Sequence, residues 1–345
     1  MSRPFLGYIG TPNFTEFTKN LYQGVATLAD KDTLGKFNPP LPTSLKKPTA
    51  YGAFYGSAAT NLSDGQLTTG ILIDGNASSN PDYPGAYKLY IGEDMTLEFH
   101  LWGSGGGGNG TRGSAGYTKY VATFVEGTEL GLYLPGYDGV PSTNALKQVG
   151  QWPDGGPGGT HTSNHGFSGG GSARVGLLYG DLATMNASNA VYYAIAGGGG
   201  GNHMHNEGAG AGGGTNGVAG IYGGYSAGGG GGGSQSAGGA GGAASSYGGT
   251  GQAGSKYQGG IGVANGTSFG GGGGGGGGYY GGGSGGTVYA SGGGGSGYVN
   301  TSYSGYSSGF TNPGSTSDSP IGSGYTKPTN AGKPNKTGAI YFKKV

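Results

Sequence analysis

The chain has 345 residues, of which 92 are glycine, 16 are proline and none is cysteine. Such a glycine and proline content is typical of disordered chains, but 33% of the residues are hydrophobic and 26 are tyrosine, which argues for ordered structure. Disulfides are excluded, so order must come from burial and backbone hydrogen bonds. The formal net charge of +1 provides no basic surface for nucleic acid.

Residues 1–50 are punctuated by proline and predict an extended arm that attaches to a partner, although a plain linker fits the same composition. Apolar spacing over about residues 13–29 predicts one short helix within the arm. The start of the chain has no signal-peptide pattern, and no apolar run reaches the length of a membrane span. We therefore expect a protein made in a cytoplasm, without membrane insertion.

Period-two patterns and turn signals predict a set of short strands after the arm. The predicted strands are Thr68–Asp74, Tyr87–Ile91, Met95–Trp102, Tyr117–Val125, Leu130–Leu134, Ala173–Tyr179, Ala190–Ala196 and Ala339–Phe342. Two of them, Tyr117–Val125 and Leu130–Leu134, flank a short turn and predict a hairpin. Residues 51–345 therefore predict a mainly β fold, an antiparallel β-sandwich or jelly-roll, with its last strand far from the others in sequence.

The strand Met95–Trp102 has the clearest alternation. Met95, Leu97, Phe99 and Leu101 share one face, whereas Thr96, Glu98 and His100 share the other. This pattern is typical of a strand that is buried on one side.

A large glycine-rich insertion at about residues 197–300 interrupts the β-domain. A flexible linker is one interpretation. The other is a bundle of polyglycine II helices, which are extended, left-handed and have three residues per turn. Because glycine has no Cβ, such helices can approach closely and hydrogen-bond in several directions. Recurrent tyrosines favour the ordered bundle, in which we expect small residues to face outward: Ala209, Ala211, Ala227, Ala237, Ala240, Ser234 and Ser236.

Five stretches carry a resemblance to a known family: Leu97–Gly108, Gly169–Val175, Ala194–Gly200, Gly277–Gly283 and Gly292–Val299. In their order and composition they resemble the glycine-rich domain of the anaplastic lymphoma kinase ectodomain and its bacterial and viral relatives, over about residues 95–345. The resemblance implies a β-sandwich that carries polyglycine II helices in a hexagonal bundle. It does not imply receptor function, because the chain has no kinase domain, membrane span or cysteine.

The opening Ser2–Gly7 is similar to the starts of tail and fibre proteins of tailed bacteriophages. This resemblance implies a virion location, a tail-fibre or tail-tip adhesin that attaches to the host, and a homo-oligomer, with a trimer favoured by analogy to fibres. The expected partners are a host surface glycan or protein and other virion proteins. The candidates for virion attachment are Arg3, Pro4, Phe5, Leu6 and Tyr8.

Two other functions remain open on sequence grounds. One is an architectural virion subunit, such as a capsid decoration or tail-connecting protein without a receptor. The other is a cell-surface or matrix glycine-rich protein, which the missing signal peptide disfavours. No enzyme is expected, because no paired carboxylates, nucleophile arrangement or phosphate loop has a recognisable signature.

Histidines are the main candidates for metal binding, and a calcium site in the turn Asp74-Gly75-Asn76, which lacks EF-hand loop spacing, is a weaker alternative. By resemblance to trimeric phage fibres, His203 and His205 could together hold an iron ion shared between three chains, whereas a plain exposed polar loop fits their flanks equally well. No other cofactor is expected. His161 and His165 are interpreted as solvated loop residues.

Aromatic side chains in predicted loops are the candidates for receptor contact, because tyrosine and tryptophan give large contact areas and stack on sugars. They are Tyr137, Trp152, Tyr298, Tyr303, Tyr306 and Phe310. The alternative is that these residues only pack against the sandwich or cap the glycine segments.

Overall fold

A computed structural model describes twelve stretches of the chain: 53–54, 64–74, 86–108, 113–135, 153–161, 165–177, 191–203, 208–222, 227–246, 248–264, 270–314 and 338–345. All of them fall within Ala50–Val345, one of two units into which the chain divides. The predicted arm of residues 1–50, its helix and its attachment residues lie outside the described residues.

The described residues form strands and one short helix, α1 (Asp64–Thr69). The strands are β1 (Ala53–Phe54), β2 (Ile71–Asp74), β3 (Ala86–Tyr90), β4 (Met95–Trp102), β5 (Tyr117–Phe124), β6 (Glu129–Tyr133), β7 (Ala173–Leu177), β8 (Tyr192–Ala196), β9 (Tyr298–Val299), β10 (Tyr306–Asn312) and β11 (Ala339–Lys344). The predicted mainly β fold is therefore confirmed.

The strands form two antiparallel sheets. One has the order β1-β3-β6-β7-β8-β9 and the other the order β10-β5-β4-β11-β2. The final strand β11 lies between β4 and β2, where Phe342 is opposite Phe99 on one side and Ile71 on the other. The last residues of the chain thus complete the centre of a sheet whose other strands come from much earlier in the sequence.

One apolar core joins the two sheets in a sandwich-like arrangement. Phe99 and Phe124 come from the second sheet, and Leu132 and Val175 from the first, and all four are buried in the same cluster. The rings of Phe99 and Phe124 meet edge to face at 6.1 Å between centroids. Burial of side chains of this size stabilises the fold by about 1.5–3 kcal/mol each.

The alternation of β4 is confirmed, because Met95, Leu97, Phe99 and Leu101 all lie in the core. On the opposite face, however, His100 is only 2% exposed. It lies among aromatic rings there, 5.6 Å from the ring of Tyr341 and 6.0 Å from that of Tyr117. This face is therefore partly covered as well.

The predicted hairpin of Tyr117–Val125 with Leu130–Leu134 is wrong. β5 pairs with β4 and β10, whereas β6 pairs with β3 and β7, so the turn between them crosses from one sheet to the other. Gly127 has φ +84°, and its N–H donates to the carbonyl of Ile91 at 2.7 Å. This hydrogen bond attaches the turn to Ile91, in the loop before β4.

Two further strand predictions needed correction. Thr68 and Thr69 belong to α1, and the strand begins only at Ile71, after Gly70 with φ +95°. The sequence also did not predict β9 and β10, because their serine, glycine and tyrosine content resembles the glycine-rich region before them. That region ends at Gly297, and two strands follow it before β11.

Between β4 and β9, glycine-rich segments without strand pairing lie side by side and hydrogen-bond to one another. We call this set the glycine array. Its segments are 103–108, 113–116, 153–161, 165–172, 197–203, 208–214, 216–222, 228–233, 237–243, 248–255, 258–264, 270–279, 281–287 and 290–297.

Segment 197–203 illustrates the bonding. The N–H groups of Gly198 and Gly201 both donate to segment 270–279, at 2.8 Å each. The N–H groups of the residues that follow them, Gly199 and Asn202, donate to segment 103–108. The N–H of Gly200 donates to segment 208–214. The carbonyls accept from three further segments, namely 113–116, 165–172 and 290–297. The partner therefore recurs every third residue, and the segment has six bonded neighbours among the described residues.

Segments 270–279, 281–287 and 290–297 repeat this pattern, each with six bonded neighbours in the described part of the chain. Such packing has no room for side chains. A Cβ on Gly276 would lie less than 3.0 Å from the carbonyl oxygen of Gly198, and one on Gly293 equally close to Gly231. Glycine is required here because neighbouring backbones are in contact.

At the margin of the array, small residues take the outward positions in part as expected. Ala237 and Ala240 are exposed, and Ala243 continues the same three-residue spacing on segment 237–243. Ser236 is also exposed. Ala209, Ala211 and Ser234 are only half-buried, and Ala227 is wrong as an outward residue, because it is fully buried against Val288 and Ala290.

Candidate functional site

The glycine array has two ends. Segment 197–203 leaves β8 and segment 165–172 enters β7, so their opposite ends, at His203 and His165, lie away from the sheets. We call the end beside the sheets the near end and the other the far end. Each end holds a distinct cluster of polar and aromatic side chains.

The near end holds a buried ion pair. Arg174 on β7 is fully buried, and its Nη2 donates to Oδ2 of Asp154 at the start of segment 153–161. Asp154 also accepts from Ser172, from its N–H at 2.7 Å and its hydroxyl at 2.8 Å. Nε of Arg174 donates to the Ser172 hydroxyl at 2.7 Å, and Nη1 to the Tyr192 hydroxyl at 3.1 Å. The network joins the first sheet to the glycine array.

The Asp154 carboxylate stabilises the charged form of Arg174. Burial alone lowers the pKa of the Arg174 guanidinium, but the Asp154 carboxylate and the Tyr192 hydroxyl outweigh burial and raise the pKa above its ordinary value. The guanidinium thus stays charged in a site closed to solvent. A Cβ on Gly277 would overlap the Asp154 carboxyl group, so glycine is also required beside the pair.

Tyrosines enclose the near end. The rings of Tyr192 and Tyr257 each lie 5.2 Å from the Arg174 guanidinium carbon. Tyr279 stacks on Tyr298 with centroids 4.1 Å apart. Tyr257 has φ +64°, an unusual value for a residue with a side chain, in the turn that places its ring over Arg174. The tyrosines recurring in the sequence therefore serve here to cover a charge.

The far end carries histidines and a strained turn. His165 is 4% exposed, and its Nδ1 accepts from the N–H of His161 at 3.2 Å. His203 is fully buried and lies 4.8 Å from the ring of Tyr289. Val288 and Tyr289 have φ +72° and +73°, values that are unfavourable for bulky and β-branched side chains. Strain of this kind is found preferentially at functional sites.

The burial of two histidines differs from the sequence interpretation. His165 is not solvated, and His203 does not lie in an exposed loop. The predicted iron site of His203 and His205 stays a prediction, because His205 lies outside the described residues. Among the residues that the structure describes, no group of three histidine, aspartate or glutamate side chains could hold a metal ion.

The four described candidates for receptor contact lie at the sheets. The ring centroids of Tyr303 and Tyr193 are 4.7 Å apart, and those of Tyr306 and Tyr120 are 5.7 Å apart. Tyr303 and Tyr306 both pack against the core. Tyr298 on β9 lies in the near-end stack, whereas Phe310 on β10 is 43% exposed. Tyr137 and Trp152 lie outside the described residues. Of the four described residues, Phe310 is the most accessible to a ligand.

An ionic cluster lies on the covered face of the second sheet. Glu98 accepts from Nζ of Lys119 at 2.7 Å and contacts Nε2 of His100 at 2.9 Å. Nδ1 of His100 is 2.6 Å from the Tyr117 hydroxyl. Burial raises the pKa of Glu98, but the hydrogen bonds with Lys119 and His100 outweigh it and lower the pKa to about 2. This carboxylate therefore remains charged in moderately acidic solution.

Neither protein-family models nor curated protein sequences give a match to this chain. A search of the described helices for a segment long and apolar enough to cross a membrane also finds none.

The Arg174–Asp154 pair was not predicted from the sequence. The two residues are 20 positions apart, on different elements, and only the fold brings them together. The one available signal was a lone arginine between small and apolar residues in a predicted strand, where burial requires a partner charge.

Proposed function

We propose that the glycine array is a polyglycine II bundle carried by a β-sandwich. The support is the three-residue recurrence of hydrogen-bond partners, which matches the three residues per turn of this helix. The six bonded neighbours of the central segments are those expected in hexagonal packing. The proposed likeness to the glycine-rich domain family rests on the same feature.

We further propose that the protein is a virion structural protein of a tailed phage, a tail-fibre or tail-tip adhesin that presents the far end of the array to the host surface. The observation that carries this proposal is the glycine array fixed to the sheets at its near end by the buried Arg174–Asp154 pair. A scaffold of this kind holds distant turns rigidly. The strained turn at Val288 and Tyr289 lies at the far end; Val288 is buried, so the partly exposed Tyr289 is the residue of this turn that would face a receptor.

The second candidate function is an architectural virion subunit without a receptor. It is favoured by the packing of the partly buried Tyr303 and Tyr306 against the core, because these two aromatics then serve stability and not recognition. The proline-punctuated arm of residues 1–50 would in that case be the functional part of the chain.

Binding to cells separates the two functions. Fluorescently labelled full-length protein would be incubated with candidate host cells, and bound label would be measured against protein concentration. An adhesin gives saturable binding, which unlabelled protein competes away. An architectural subunit gives none, but co-sediments with virions stripped of this protein. A Phe310→Ser variant tests whether the exposed aromatic on β10 binds the receptor instead of the far end, and Val125→Ser, at another exposed apolar residue beside the second sheet, is its matched control. Unchanged binding of Phe310→Ser agrees with recognition at the far end, whereas a loss seen in Phe310→Ser alone would place recognition at the second sheet.

A further inference from the structure

Segment 228–233 lies at the margin of the glycine array and has an incomplete set of partners. Gly228 and Gly231 donate to segment 237–243, and Gly230 and Gly233 donate to segment 290–297. The carbonyls of the same four glycines accept from segments 216–222 and 281–287. The segment therefore has four bonded neighbours in the described part of the chain, where the central segments have six.

The two missing neighbours correspond to Gly229 and Gly232. Within the described residues, their N–H groups donate to no acceptor and their carbonyls accept from no donor. Both glycines are half-buried and carry no side chain, so they form the floor of an open groove between segments 216–222 and 237–243. Their spacing of three residues puts equivalent donors and acceptors about 9 Å apart along an extended left-handed helix.

The interior of the array shows what occupies the equivalent positions elsewhere. Around segments 197–203, 270–279, 281–287 and 290–297, donors and acceptors at three-residue spacing bond neighbouring glycine-rich segments. A chain with side chains on its near face could not approach as closely, because a Cβ inside the array would lie less than 3.0 Å from a neighbouring carbonyl. The chemistry of the occupant is thus specified by the array itself.

We propose that the groove floored by Gly229 and Gly232 binds an extended glycine-rich segment of a second polypeptide, which takes one of the two missing neighbour positions by accepting from the N–H groups of Gly229 and Gly232. This is the polyglycine counterpart of adding a strand to the open edge of a β-sheet.

The surroundings of the groove favour this site over the next margin of the array. Segment 237–243 also has a free side, but Ala237, Ala240 and Ala243 are exposed along it at every third residue, and their methyl groups keep another backbone at a distance. Segment 216–222, on the other side of the groove, carries exposed Ile221 and Tyr222, which offer apolar contact area to a bound chain.

Amide hydrogen exchange with a synthetic peptide tests the proposal on the full-length protein. The probe has the sequence of residues 290–297 between lysines added for solubility, and exchange is resolved at single residues. In the free protein, the Gly229 and Gly232 amides exchange fast, whereas those of Gly276 and Gly293 are protected. Saturating peptide slows exchange at Gly229 and Gly232 by about tenfold or more, as expected when a protein–protein hydrogen bond replaces one to water.

Two controls define the outcome. A peptide with alanine in place of its four consecutive glycines should give no protection, and Ile221→Ser with Tyr222→Ser should weaken binding several-fold without unfolding the protein. Gly229 and Gly232 amides protected already in the free protein, or peptide binding that leaves them unprotected, would overturn the proposal. Fast exchange at Gly276 and Gly293 would instead refute the polyglycine II bundle itself, so the two failures are distinguishable. Protection that rises with protein concentration alone supports the proposal and identifies the second polypeptide as another copy of this chain.

Discussion

Asp154 and Arg174 form a charge pair that is buried away from solvent. Substituting one of these two residues should therefore lower the stability far more than substituting a residue of a surface pair. Asp154→Asn keeps the shape but leaves the Arg174 charge buried without its counterion. We expect the free energy of unfolding to fall by about 3–5 kcal/mol, as for other broken buried pairs. Urea unfolding measures the loss.

The matched control is Glu93→Gln. Glu93 accepts from Nζ of Lys344 at 2.7 Å in a pair that is partly exposed to solvent. Its loss should change the free energy of unfolding by no more than about 1 kcal/mol. Equal effects of the two substitutions would contradict the assignment of the Arg174 network as the attachment between the sheets and the array.

The carboxylate of Glu98 makes the free energy of unfolding depend on pH in acidic solution. Because hydrogen bonding with Lys119 and His100 outweighs burial and lowers its pKa to about 2, the folded state holds the charged form more firmly than the unfolded chain, where the pKa of glutamate is about 4.3. The resulting stabilisation is present above about pH 4.3 and is lost as the pH falls toward 2.

Glu98→Gln should therefore flatten the dependence of unfolding free energy on pH between about 4.3 and 2. Urea midpoints measured across this interval test the expectation. Glu126→Gln, at an exposed residue of the turn after β5, is the control. If the unfolding free energy of Glu98→Gln changed with pH as steeply as that of the unsubstituted protein, the ionic cluster would not be the cause of the pH dependence.

Which side chains meet could be predicted only where local periodicity decides it. The inward face of β4 followed from alternation, because Leu97, Phe99 and Leu101 repeat every second residue. The covering of His100 by Tyr117 and Tyr341 did not, since the three residues lie on three strands whose order depends on the whole sheet. The near-end pair and the burial of His203 against Tyr289 could not be predicted for the same reason, since their partners are distant in sequence.

Within the elements, the three-residue repeat of the glycine array assigns opposite consequences to neighbouring positions. Gly276→Ala places a Cβ less than 3.0 Å from the carbonyl oxygen of Gly198, in the interior. We expect a loss of about 1–3 kcal/mol or more, the usual range for overpacking. Ala240→Ser, at an exposed position of segment 237–243, should stay within about 0.5 kcal/mol. Thermal unfolding of both variants provides the test, and a similar loss in both would argue against close packing of the array.

The identity of most strands was accessible from the sequence, but two classes of error show its limits. The turn between β5 and β6 has ordinary hairpin chemistry, and only the competition between sheets for pairing partners sends it across the sandwich. The strands β9 and β10 have few of the β-branched residues that mark a strand, and they are held by pairing with β8 and β5. Pairing across long sequence separations outweighs local preference in both cases.

At the scale of the whole molecule, the sheets and the array should unfold together. They share the Arg174 network, and β8 and β9 continue directly into segments 197–203 and 290–297. In a Trp152→Phe background, Trp102 is the only tryptophan and reports on the second sheet, while amide exchange of Gly276 and Gly293 reports on the array. We expect one urea midpoint for both probes. Two separate midpoints would show that the array is an independent unit.

The bonding of each central segment to six neighbours has a mechanical consequence. A β-hairpin pulled from one end can open one hydrogen bond at a time, because its bonds lie in a single row. A central segment pulled along its axis is instead held on all sides, so the bonds to several neighbours are sheared simultaneously. Tension applied at the far end is thereby distributed across the cross-section of the array before it reaches the sheets, and a tether built in this way resists rupture without a single covalent cross-link.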